Sequence, residues 1–188
     1  MGTAAEVSDE ELMTRFCRGE AEAFDALFER HGAAVHAYLS RLVSSSVAAE
    51  DLMQATFLSL VRGRGRFHPA IRFRPWLYAI ATNAARDHYR RGRREQLTEK
   101  GEFPADAATV DPEARDAGLE RRVRSALQQL PPQQREVILL NRFEGLSMAE
   151  IAAAVGATET AVKVRAHRGY ERLRELLSDL WGAWKGES

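Results

Sequence analysis

Apolar residues recur at three- and four-residue steps along most of this 188-residue chain, and no stretch alternates convincingly. That pattern predicts helices throughout and no sheet. A first helix opens at Ser8, with Asp9, Glu10 and Glu11 in the first turn, where the helix dipole favours acids, and ends at Gly19. Leu12, Met13 and Phe16 form its apolar side. A second helix, from about Ala21 to Leu42, carries Phe24, Leu27, Phe28, Val35, Tyr38, Leu39 and Leu42. Ser44, Ser45 and Ser46 break and cap the chain. The third helix, from about Ala48 to Val61, spreads Leu52, Met53, Phe57, Leu58, Leu60 and Val61 around much of its circumference. A helix apolar on more than one side is buried or docks a partner. Gly63, Gly65 and Pro69 end the pattern, and a fourth helix starts near Phe73, with Phe73, Trp76, Leu77, Ile80 and Ala84 as its apolar stripe. Periodicity is lost over residues 95–118, then returns at about Leu119 with Val123, Ala126, Leu127 and Leu130. Pro131 and Pro132 break that helix and start the next, because proline suits a first turn. Val137, Ile138, Leu140 and Phe143 are its expected core face, and Gly145 closes it.

The stretch from Leu146 to Leu177 reads as a helix-turn-helix. Ser147 with Glu150 makes a capping box, and Gly156 stops a short helix built on Met148, Ile151, Ala152 and Val155. Thr158 can cap a second helix, whose apolar stripe is Val162, Ala166, Leu173, Leu176 and Leu177. Thr160, Lys163, Arg165, His167 and Arg168 stand off that stripe. Donors and positive charge in the first turns of such a helix suit the major groove of DNA. An ordinary helical hairpin with a solvated basic face has the same pattern. Trp181 and Trp184 in the tail pack back on the domain or extend the last helix.

Composition changes this picture little, and charge changes it more. No apolar run approaches the ~20 residues that span a bilayer, and the N-terminus is acidic with no signal core. A cytoplasmic protein without membrane insertion is expected. Cys17 is the only cysteine, in a helical context that favours a packing role, and the five histidines lack metal-ligand spacing. No metal or cofactor is expected. The zero net charge hides a sorting along the chain. Residues 1–94 carry 14 Lys/Arg against 11 Asp/Glu, residues 95–118 carry 2 against 7, and residues 119–188 carry 11 against 9. Residues 62–94 hold ten arginines and one acid, Asp87. On the fourth helix Asn83, Arg86, Arg90 and Arg93 form a stripe apart from the apolar one, preceded by a loop bearing Phe67, His68 and Arg72. Two locally basic modules joined by an acidic connector fit a protein that grips nucleic acid at two places.

The pieces in this order resemble the extracytoplasmic-function group of bacterial sigma factors, the promoter-specificity subunits of RNA polymerase. Three segments carry the resemblance. Ala49 to Phe57 (AEDLMQATF) is similar to the family's polymerase-binding helix. Arg66 to Pro69 with Phe73 to Asn83 (RFHP and FRPWLYAIATN) is similar to the segment that melts and reads the minus-ten element. Leu130 to Val137 (LPPQQREV), Gly145 to Ser147, Glu150 to Ala152 and Val162 to Arg168 (VKVRAHR) are similar to the minus-thirty-five reader.

The resemblance implies an all-α chain of two small helical domains: 1–94 for core-polymerase binding and minus-ten recognition, and 119–188 for minus-thirty-five recognition. A flexible acidic linker over 95–118 joins them, similar to the family segment that threads toward the RNA exit path. It places Asp51, Gln54 and Phe57 against core polymerase. It places Phe67, His68, Arg72, Phe73 and Asn83, with Arg86 and Arg90 beside them, on minus-ten DNA. It places Arg135, Thr158, Thr160, Lys163, Arg165 and Arg168 on minus-thirty-five DNA. Among the side chains near the opened strand, Trp76 is expected in the core and Asn83 in contact. Ala55 stands where the family usually has Glu, and Ala161 and Val164 where Thr and Ser are frequent. The implied partners are core RNA polymerase, promoter DNA and an anti-sigma factor, membrane-bound or zinc-binding, that responds to a stress or envelope signal. A stand-alone helix-turn-helix regulator would explain the C-terminal module but not residues 62–94. An enzyme acting on nucleic acid would need Glu50 with Asp51, or His68 with His88, and neither has catalytic spacing. The chain is not expected to be an enzyme.

Overall fold

The computed structural model describes residues 7–43, 45–98 and 115–178, with side chains over 7–43, 45–92 and 118–178. Among these residues the chain forms α1 (Asp9–Cys17), α2 (Ala21–Leu42), α3 (Ser46–Gly63), α4 (Phe73–Thr98), α5 (Arg115–Gln128), α6 (Pro132–Arg142), α7 (Met148–Val155) and α8 (Glu159–Leu176), and no strand. A short 3-10 turn, Arg64–Arg66, lies between α3 and α4.

Hydroxyl residues begin four of these helices. Ser8 accepts the Glu11 N–H at 3.2 Å, Ser45 that of Ala48 at 3.3 Å, and Thr158 that of Ala161 at 3.2 Å. At α7 the box is reciprocal: Ser147 Oγ takes the Glu150 N–H at 3.3 Å, and Glu150 Oε2 takes the Ser147 N–H at 2.9 Å. Those donors, the Ser147 backbone N–H first, hold the Glu150 carboxyl below its usual range. α4 is capped from a distance, since Glu10 of α1 accepts the Phe73 N–H at 3.0 Å. Gly156, at φ 66°, occupies the left-handed region that ends α7 and starts the turn to α8.

The N-terminal half wraps α1, α2 and α3 around α4. Met13, Leu27, Val35, Tyr38, Leu39, Leu60, Phe73 and Leu77 are fully enclosed there. Tyr38 of α2 and Thr82 of α4 share a buried hydroxyl–hydroxyl bond of 2.8 Å. In the C-terminal half α8 packs against α5, α6 and α7, and Val137, Ile138, Leu139 and Leu140 of α6 are buried. Gly169 lets α8 approach α6 closely. A Cβ built there would sit 2.6 Å from Ile138 Cδ1 and 3.3 Å from Gln134 Cβ.

Several details differ from the sequence reading. α4 runs to Thr98 and α5 starts at Arg115, so the segment read as linker is helical at both ends. Residues 99–114, Trp181 and Trp184 lie outside the described residues. Phe143 is not a core residue. It is 45% exposed and lies under the guanidinium of Arg41 of α2, 4.6 Å from the ring centre. Leu58 and Phe28 are also exposed, because α3 and α2 bury only one face each.

The two helical halves are packed together rather than held apart. α7 lies along α4, α5 and α6 touch α2, and one apolar cluster runs through both halves. Polar groups bridge the seam. Arg86 of α4 donates to both oxygens of Glu136 of α6, at 2.9 and 2.6 Å, and to the Val155 carbonyl at 3.2 Å. Tyr78 of α4 donates to Glu144, and Arg74 to the Glu144 carbonyl. Burial pushes the Tyr78 phenol far up, so it stays a donor.

Candidate nucleic-acid interface

α8 is the best-defined candidate. Val162, Ala166 and Gly169 are buried against α6 and α7, which fixes the direction in which the other side chains point. Thr160, Lys163, Val164, His167 and Arg168 are exposed, and Arg165 is half-buried. Lys163 pairs with Glu159 at 2.7 Å and His167 with Glu171 at 3.5 Å, both exposed pairs within one helix. Such pairs contribute little in water, so these cations can be transferred to phosphate at small cost. The Thr158 hydroxyl is engaged as the helix cap and positions the first turn. Arg165 and Arg168 share a groove with Pro132, Gln133 and Gln134 of α6.

Arg135 does not belong to this face. It is buried, and its guanidinium donates to the carbonyls of Leu42 at 2.8 Å, Gln128 at 2.6 Å and Leu130 at 3.1 Å. It also holds Gln128 Oε1 at 2.6 Å. The carbonyls at the C-terminal ends of α2 and α5 lack helical partners, and Arg135 supplies donors to both. The expectation that it contacts minus-thirty-five DNA is corrected accordingly: a side chain spent on buried carbonyls does not reach a duplex.

On the N-terminal half, Asp51 and Gln54 are exposed on α3. Phe57, expected beside them, is instead a core residue. Its ring lies 4.8 Å from that of Phe28 and 6.2 Å from that of Phe24. Helical spacing put it next to the polar face but did not show that α2 covers it. Exposed Phe28, Val47 and Leu58 are the apolar groups that the α2–α3 surface does present.

Phe73, expected on minus-ten DNA, does not face solvent either. It is fully buried between His31 and Trp76, with ring centres at 5.3 and 6.4 Å. Phe67 is half-buried on Trp76 at 5.3 Å. Trp76 itself is only half-buried, and it borders an apolar groove with Ile71, Pro75 and Ala79 of the α4 side and Ala153 of α7. His68 and Asn83 are exposed, and His68 Nδ1 accepts the Ala70 N–H at 3.2 Å. Arg72 is 79% exposed and only 3.6 Å from Glu150. Arg90 is exposed beside Asp87, one turn away on the same helix. Arg86 is held by Glu136, so it is not available to DNA in this arrangement. Glu136 and Glu144, which hold Arg86 and Tyr78, are not among the residues expected from the sequence. Glu136 stands beside the apolar run Val137 to Leu140 of α6, and an acid there is almost never fully buried unpaired, whereas Glu144, in the turn after α6, carries no such local signal.

No group of three or more His, Cys, Asp or Glu able to hold a metal ion occurs among the described residues, and none of their helices is long and apolar enough to cross a membrane.

Two family profiles match the chain. Residues 27–95 match the family profile "Sigma-70 region 2", and residues 120–173 match "Sigma-70, region 4". The chain is 48% identical over 168 residues to RNA polymerase sigma factor CarQ of Myxococcus xanthus, covering 89% of this chain and 97% of that protein. It is 35% identical over 181 residues to the ECF RNA polymerase sigma factor SigM of Mycobacterium tuberculosis, covering 95% and 89%. Its fold is similar to CnrH solved with the cytosolic domain of CnrY, with a TM-score of 0.71, 31% identity and coverage of 91% of this chain and 97% of that one. It is also similar to the sigma factor RpoE solved with the anti-sigma factor NepR from Bartonella quintana, with a TM-score of 0.75, 28% identity and coverage of 82% and 96%. With both modules, their order and nearly its whole length matched, this chain belongs to the extracytoplasmic-function group of the sigma-70 family.

Proposed function

We propose that this chain binds core RNA polymerase in the cytoplasm and directs it to a set of promoters, without catalysing a reaction itself. The observation that carries the reading is the outward face of α8: a capped helix, pinned to α6, that presents Thr160, Lys163 and Arg168 to solvent. Major-groove recognition needs donors on a rigid helix at this position. Asp51 and Gln54 are the polymerase contacts, with Phe28 and Leu58 as the apolar part of the same surface. His68, Arg72 and Asn83 engage the opened minus-ten strand, where an unpaired base needs polar and aromatic groups to hold it. CnrH and RpoE were solved with protein partners, RpoE's an anti-sigma factor. On that likeness, an anti-sigma factor, membrane-bound or zinc-binding, holds this chain inactive until a stress or envelope signal releases it.

Transcription by purified core polymerase on genomic DNA, with start sites mapped, tests this directly. New start sites are expected only when the protein is added. Tight, sequence-specific duplex binding by the protein alone, with no transcription on adding core enzyme, would instead make it a stand-alone regulator.

A further inference from the structure

At the centre of the outward face of α8 stands an apolar residue. Val164 is 44% exposed, with Thr160 one turn before, His167 one turn after, and Lys163 and Arg168 on the flanks, and on one side it borders the groove of Pro131, Pro132 and Arg165. The other small apolar residues of these turns behave differently, since Val162 and Ala166 are buried and Ala161 is half-buried. The close approach at Gly169 and the inward line of Val162 and Ala166 fix the roll of α8, so Val164 cannot turn inward. A β-branched side chain in a helix is also held to one rotamer. Val164 therefore offers two methyl groups in a fixed outward direction, among Thr160, Lys163, His167 and Arg168, with the acids of that surface, Glu159 and Glu171, paired to Lys163 and His167.

That chemistry matches one feature of duplex DNA. The flanking cations suit the phosphates on either side of a groove, and the edges of the base pairs in the major groove carry a single apolar group, the thymine 5-methyl. We propose that Val164 is a specificity-determining residue that packs on the 5-methyl of one thymine in the upstream promoter element. It makes this chain prefer a T·A pair at that position. The inference rests on the reading of α8 as the duplex-reading helix and deepens it by naming the base. Burying one methyl-sized group corresponds to about fourfold in affinity.

Replacing thymine by deoxyuridine removes only that methyl, and so isolates the contact. The protein with core polymerase would first be used to select upstream sequences from a randomised duplex. Each thymine of the selected element would then be changed to deoxyuridine, and closed-complex binding measured for the wild type and for Val164→Ala. Alanine is a better helix former than valine, and the site is exposed, so the variant is expected to fold. A circular dichroism melt checks this. One thymine is expected at which deoxyuridine costs the wild type about fourfold and costs Val164→Ala, which keeps only Cβ, clearly less, with Val164→Thr, which keeps one γ-methyl, in between. The proposal is overturned if the selected element contains no thymine, or if deoxyuridine affects both proteins equally at every position. Failure of the holoenzyme to select any sequence would be a different result, since it removes the duplex-reading role itself.

Discussion

Arg135 shows how far a residue's chemistry depends on what covers it. Read alone, an arginine beside a helix-turn-helix is a DNA contact. In the folded chain it lies where the ends of α2 and α5 converge, and both ends present carbonyls with no helical partner. Burial lowers the tendency of its guanidinium to carry charge, while the Tyr89 and Glu136 groups nearby oppose that. Its Nε is the buried polar side-chain atom left without a partner among the described residues. Arg135→Met would strand the Gln128 and Leu130 carbonyls, while the Leu42 carbonyl keeps the Tyr89 hydroxyl at 2.6 Å, so a loss of about 3 kcal/mol is expected, measured by urea denaturation. Arg135→Lys should recover little, because a single ammonium cannot span two helix ends. A loss within about 0.5 kcal/mol would mean that water satisfies these carbonyls and that Arg135 is free for another role. Phe57 and Phe73 make the same point for aromatic residues. Spacing placed them correctly on their helices, but it could not reveal that Phe28 and His31 lie across them.

At the scale of elements the chain was legible wherever a signal is local. The expected limits of α2 coincide with the observed ones, and the caps at Ser8, Ser45, Ser147 and Thr158 are all made. Each depends on residues within a turn of one another, as capping requires. The 95–118 segment was less legible, because an acidic, alanine-containing stretch supports a helix end as readily as a linker and has no apolar stripe to mark the boundary. Gly169 carries no local signal, since its role depends on α6. It sets the distance at which α8 sits, and therefore where the exposed donors point. Gly169→Ala would put a methyl against Ile138 Cδ1, 2.6 Å away. A cost of about 1–3 kcal/mol is expected from overpacking, partly offset by alanine's better helix propensity. Ile138→Val removes the colliding atom, so the double variant should be more stable than the two single changes added together. Thermal melts of the four proteins measure this coupling. Strict additivity would show that α8 shifts freely and that its position on α6 is not fixed by this contact.

For the whole molecule, the feature that local reading could not reach is the closed packing of the two halves. Its polar links use the same residue types that nucleic acid would use. Arg86 grips Glu136 through two parallel hydrogen bonds, the geometry with which a guanidinium also holds phosphate. Glu136 is buried while Arg86 is partly solvated, so the acid is the partner that depends on the pair. Arg86 cannot hold Glu136 and DNA at once, and closure therefore competes with any phosphate contact it makes. Two changes separate the roles. Arg86→Ala leaves Glu136 buried without its cation, and a loss of about 3 kcal/mol is expected, at the lower end for a broken buried pair because Arg86 is not fully buried. Glu136→Gln keeps the shape and one acceptor but removes the charge, so it should cost less. In Arg86→Ala with Glu136→Gln no carboxylate is stranded, and the combined cost should fall below the sum of the single changes by about 1–3 kcal/mol. The same Glu136→Gln protein should have a larger radius of gyration in X-ray scattering than the wild type, because the halves lose their charged link while each keeps its own core. If its scattering is unchanged, then the apolar contact of α7 on α4 holds the halves together and the Arg86–Glu136 pair merely follows.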